Sequence, residues 1–174
     1  LGTVLDPHAA WLLLRGIRTL GLRVLRQADS ALAIAEFLRS SAEVSSVVYP
    51  YLSGTPQWPV AERQMRGGGG VLCFVPQGGI PAAHAFVNAL EMIPIASSLG
   101  GVETIVEMPG DLDWSEDELG GELTEAEIPP GLVRLSVGVE DLSDILRDLQ
   151  RGLDAIAVNS RDGSAVTREG EGPS

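Results

Sequence analysis

Lysine is missing from this 174-residue chain, and all 12 of its basic residues are arginines. No side chain can therefore form a Schiff base or serve as an amine nucleophile. Cysteine occurs once, as Cys73, which excludes an internal disulfide and fits a reducing compartment. No apolar run reaches the roughly 18 to 20 residues that a membrane-spanning helix needs. Positive charge is scarce: 24 acidic residues leave a formal net charge of -12. Phosphate backbones and anionic lipid surfaces would repel such a chain, so neither nucleic acid nor membrane is expected as a partner. The opening LGTVLDPHAA has no initiating Met and none of the basic, apolar and cleavage regions of a secretory signal. The chain is thus expected to begin inside a longer, soluble, cytoplasmic protein.

What is present supports one sizeable core, since 44% of the residues are apolar. Asp6 can cap a helix with Pro7 at its first position, and apolar residues from Trp11 to Leu25 keep a helical period. Gly16 and Gly21 weaken the middle, and a second apolar face follows over residues 28–39, so residues 1–40 read as one long, interrupted helical region. Residues 44–49 and 71–75 read as strands, residues 60–66 and 81–91 as helices. Residues 93–97, 102–106 and 132–137 read as further strands, and residues 142–156 as a closing amphipathic helix. The expected fold class is α+β, a mixed or antiparallel sheet covered by helices, with residues 41–157 as its domain. Residues 158–174 lack the apolar content to pack and are expected to be a disordered tail.

Few residues are placed to carry chemistry. Arg134 lies in the strand LVRLSV, where alternation puts its guanidinium on one face with Leu132 and Ser136. An arginine so placed can grip a carboxylate through two parallel hydrogen bonds, or can simply be an exposed strand residue. Ser98 and Leu99 begin the run SLGG, whose glycines permit close backbone approach to a ligand or an ordinary turn. The four glycines at 67–70 precede a strand and lack the Lys-Ser/Thr ending of a phosphate loop, so they read as a helix stop with tight packing. Nine acidic residues fall between Glu107 and Glu127 with no basic one. A calcium-loop register over Asp111, Asp113, Ser115, Asp117 and Glu122 fails because Glu116 stands where glycine is needed. Cys73 sits in the apolar run VLCFV and reads as an inert core residue. His8 and His84 have no partner at metal-ligand spacing, so no metal site is expected.

Three segments in order, DPHAAWLLLRGIRTLGLRV at 6–24, SLGGVET at 98–104 and GLVRLSVGVED at 131–141, resemble the cystathionine γ-synthase/γ-lyase family of pyridoxal-phosphate enzymes. The resemblance runs over residues 6–153 and implies the small C-terminal domain of a fold-type I, aspartate aminotransferase-like enzyme, preceded by a long interdomain helix. It implies that Arg134 binds the α-carboxylate of an amino-acid substrate, with Ser98 and the Leu99 backbone bordering the substrate and the cofactor lysine. Glu103 stands at an acidic position of the family to which no role beyond structure attaches. The Schiff-base lysine and the rest of the N-terminal cofactor domain have no counterpart in these residues, so pyridoxal phosphate is implied for the full-length enzyme and inactivity for this chain alone. A homo-oligomer is implied for the full-length enzyme as well.

Two departures bear on substrate. Ser97 stands where members acting on cystathionine often carry glutamate, and MPGDLDWSEDELGG replaces the usual Pro-Ala and Met-Thr-His segment. A lyase or sulfhydrylase branch with an altered entrance therefore stands beside a cystathionine synthase. Outside the enzyme reading, the residues also suit a stand-alone, non-catalytic amino-acid-binding or assembly module that works without the cofactor.

Overall fold

The computed structural model describes the backbone of residues 4–111 and 128–166, and the side chains of 4–110 and 128–158. Residues 112–127, which hold most of the acidic stretch and of the calcium register, lie outside it.

Asp6 accepts hydrogen bonds from the backbone N–H of His8 and Ala9 and starts helix α1, Pro7–Ile17, with proline in its first turn. The chain breaks at Arg18 and Thr19, between the two glycines, and resumes as α2, Leu20–Ser40. Strand β1, Val44–Val48, is followed by the short helix α3, Trp58–Gln64, strand β2, Val71–Pro76, and helix α4, Gly79–Ala89. Strands β3, Ile105–Glu107, and β4, Val133–Ser136, complete the sheet before the long helix α5, Leu142–Val166. Helix α5 thus passes the expected end at Ile156, and residues 158–166, expected as disordered tail, continue its backbone. Residues 93–97 form no strand and contribute one parallel bridge, Ile95 to Val106.

The sheet order is β1-β2-β4-β3, antiparallel at every strand pair. Alternation along β2 and β4 sends Leu72, Phe74, Val133 and Leu135 into the core. There they meet Ala31, Ile34 and Leu38 of α2, Ala83 and Phe86 of α4, and Ile145, Leu149 and Leu153 of α5 in one continuous cluster. Phe74 and Phe86 meet edge to face at 5.1 Å. The residues between them in sequence, Cys73 and Arg134, belong to the other side of the sheet. Glycine is required where α5 crosses α4, because a Cβ on Gly152 would stand 2.6 Å from the Phe86 ring.

Tight packing is also what the four glycines provide: a Cβ on Gly68 would collide with the Tyr49 ring, and the Tyr49 hydroxyl donates to the Gly69 carbonyl at 2.9 Å. By contrast α1 buries none of its residues, and Trp11, Leu12, Leu13, Leu14 and Ile17 are exposed around most of its circumference.

The end of α4 is tied to α5 by one buried carboxylate. Asp148 accepts from the backbone N–H of Glu91, Met92 and Ile93 at 2.9, 3.0 and 2.9 Å. These bonds satisfy donors that the turn after α4 would otherwise leave unpaired. Replacing Asp148→Ala is expected to lower unfolding free energy in urea by roughly 3 kcal/mol, since three charge-assisted bonds disappear together. A loss below about 1 kcal/mol would contradict this assignment.

Candidate functional site

The sheet register assembles the site. Across the sheet, Val48 pairs with Cys73, Cys73 with Arg134 and Arg134 with Glu107. Side chains directly opposite one another on adjacent strands share a face, so this row lies on the side away from the core. Arg134 forms an ion pair with Glu107 through Nη2 and Oε2, with side-chain exposures of 26% and 8% respectively. The same Nη2 donates to the Ser98 carbonyl at 3.2 Å. The Nη1 and Nε groups have no partner among the described residues.

The loop over residues 98–101 lies beside this guanidinium and is pinned at each end. Gly100 takes φ of +76°, a left-handed conformation that glycine tolerates best, and its N–H donates to Ser136 Oγ at 3.0 Å. Gln27 of α2 donates from Nε2 to the Gly101 carbonyl at 2.6 Å. Further along, the Glu140 carboxylate accepts both the Thr104 N–H at 2.6 Å and the Thr104 hydroxyl at 2.7 Å, while Thr104 Oγ1 accepts from Gly138 N–H at 2.9 Å. The backbones of Val102 and Val139 are bonded at 2.9 Å. A Cβ on Gly138 would collide with the Val102 carbonyl and the Glu140 carboxylate, so only glycine lets the two segments cross. The loop presents Ser98 and Leu99 outward, with Leu99 59% exposed.

The residues singled out in the sequence are thus brought to one place: Arg134 on β4, with Ser98 and Leu99 on the adjoining loop. Glu103 is exposed, and among the described residues Arg134 bonds to Glu107 and Ser98 and not to it. Cys73 differs from its reading as a core residue, since it belongs to the site face opposite Arg134. Burial pushes its thiol pKa up, with Arg134 pulling the other way, so at neutral pH it is a thiol and no nucleophile. His8 stacks on Trp11 at 6.1 Å, far in sequence from the site. Among the described residues no group of three metal-ligating side chains occurs.

Sequence reasoning missed Glu107, Thr104 and Glu140. The signal for Glu107 was an acid inside the apolar run TIVEM, on a strand one place from the core residue Val106. A buried carboxylate there needs a cation or hydrogen-bond donors to face it.

The family model described as Cys/Met metabolism PLP-dependent enzyme matches residues 1–154. The L-methionine gamma-lyase of Pseudomonas deceptionensis is 43% identical over 156 residues, which is 90% of this chain and 39% of that protein. The cystathionine gamma-synthase of Mycobacterium tuberculosis is 42% identical over 152 residues, covering 87% of this chain and 38% of that protein. The structure of cystathionine gamma synthase from Xanthomonas oryzae in complex with aminoacrylate and cysteine superposes with a TM-score of 0.78 at 37% identity, covering 87% of this chain and 39% of that one. The chain therefore spans about two fifths of the length of these relatives. With motifs, fold and sequence in agreement, this chain belongs to the Cys/Met metabolism PLP-dependent enzyme family.

Proposed function

We propose that this chain is the C-terminal, substrate-orienting part of a PLP-dependent sulfur amino acid enzyme, of the cystathionine γ-synthase, cystathionine γ-lyase or methionine γ-lyase kind. In that reading Arg134 binds the substrate α-carboxylate beneath Ser98 and Leu99. Residues 1–40 connect it to an N-terminal cofactor domain and 41–157 form the substrate-orienting domain. The exposed apolar residues of α1 support such a connection, because a helix that is apolar around most of its circumference is ordinarily buried. The complete enzyme is a cytoplasmic homo-oligomer. Among the described residues no helix is long and apolar enough to cross a membrane.

The observation that carries the reading is the partly exposed guanidinium of Arg134, on the sheet face away from the core, with N–H groups that have no partner among the described residues, beside an outward-facing loop. Such a group fixes the direction of a carboxylate as well as its position. Holding the α-carboxylate fixes the rotation of the α-carbon, so that the bond to be broken is presented in one orientation.

Pyridoxal phosphate, the cofactor of the family, is an electron sink that permits elimination or replacement at the β or γ carbon. The chain does not fit it as a covalent carrier, because it contains no lysine to form the Schiff base. The residues present orient a substrate and exclude none of its chemistry. Carbon–sulfur elimination and replacement both require this orienting step.

Two measurements test the reading. In the complete enzyme Arg134→Ala is expected to weaken substrate binding by roughly 2 to 5 kcal/mol, read as a rise in KM, because it removes one partner of a desolvated charge pair. A KM within about twofold of wild type would contradict the carboxylate role. The isolated chain mixed with pyridoxal phosphate is expected to show no side-chain aldimine absorbance, no borohydride-stable side-chain label and no turnover. Turnover by the isolated chain would overturn its assignment as an orienting part.

A further inference from the structure

We infer that Glu107 is a resident carboxylate for Arg134, a positioning residue that aims the guanidinium and holds the counter-charge with which a substrate carboxylate must compete. This rests on the reading of Arg134 as the carboxylate anchor and adds to it a second residue with an opposite effect on affinity.

The pairing is imposed by backbone register. Glu107 and Arg134 are direct partners on antiparallel strands, and neighbouring pairs Val106 with Leu135 and Ile105 with Ser136 fix that register on both sides. The acid is the deeper of the two, 8% exposed against 26%. Its Oε2 is buried, and its partner among the described residues is the guanidinium alone. A buried carboxylate held this way cannot turn to solvent, so Arg134 is kept in one orientation while the site is empty.

The allocation of donors adds a second consequence. Nη2 serves both Glu107 and the Ser98 carbonyl. A guanidinium offers a carboxylate two double-donor edges, Nη1 with Nη2 and Nε with Nη2, and both include this nitrogen. A substrate carboxylate that takes either edge must share Nη2 with Glu107 and stands close to its negative charge. Like charges sharing one site oppose each other. Glu107 therefore fixes the direction of Arg134 while it lowers the affinity for the carboxylate, and it re-forms the pair when the product leaves.

The test uses the complete enzyme and propionate, an unreactive monocarboxylate, as the probe. Glu107→Gln keeps an oxygen that can accept from Nη2 but removes the charge. It is expected to tighten propionate inhibition and lower substrate KM, each by about three- to tenfold, as relief of a like-charge contact requires. Glu107→Asp restores the charge and is expected to return propionate inhibition toward the wild-type value. If Glu107→Gln does not fold, the uncharged and similarly sized Glu107→Met must show the same tightening. A purely structural role would not make a carboxylate bind better in a damaged site. Unchanged or weaker propionate inhibition in a folded, uncharged variant overturns the inference. The anchor reading fails separately, if Arg134→Ala leaves propionate inhibition unaltered.

Discussion

A charged side chain on an inner strand of a sheet has to be partnered, and the β3–β4 register is what provides the partner. Because Arg134 stands opposite Glu107, the guanidinium is neutralised by its neighbour on the same face of the sheet. A slip of one residue would put Leu135 on that face and drive Arg134 into the apolar core with Leu72 and Phe74. The hydrophobic pattern that builds the core and the pairing that builds the site are thus one constraint. Each strand residue that buries itself correctly also sets its neighbour on the functional face.

The loop beside Arg134 depends on a second arrangement, in which two segments about thirty residues apart in sequence are joined through their own side chains. Thr104 lies between Glu140 and Gly138, so the end of the SLGGVET run is bonded to the end of the RLSVGVED run. Arg26 of α2 donates to the Glu140 carbonyl at 3.0 Å and Gln27 holds Gly101, which brings the first long helix into the same network. The loop therefore has bonded contacts to β4, to the turn after β4 and to α2. That explains how an outward-facing segment rich in glycine keeps Ser98 in contact with Arg134.

Much of this was legible in the chain because the signals were local. Asp6 with Pro7 marked the start of α1, and the continuous apolar run VLCFV and the alternation in LVRLSV marked β2 and β4. The composition around Gly16 and Gly21 located the break between α1 and α2. Long-range pairing was not legible: nothing in TIVEM names Arg134 as the partner of Glu107, and nothing in VLCFV says that Cys73 faces the site and not the core. Residues 93–97 have strand composition but are held by one bridge, because Pro94 interrupts the donors of a regular ladder. Helix α5 outran its apolar stripe, since its backbone bonds continue where the sequence turns polar. The resemblance to the family added what periodicity could not, a reason to single out Arg134 among 12 arginines.

The central claim is that Arg134 is a carboxylate anchor whose guanidinium is shared with Glu107. The most direct measurement is a crystal structure of the complete enzyme with an unreactive substrate analogue bound. The account predicts the analogue's carboxylate within hydrogen-bond distance of two guanidinium nitrogens of Arg134, beside the Ser98 loop, with Glu107 still adjacent to Nη2. A carboxylate bound elsewhere, with Arg134 paired to Glu107 alone, would contradict it.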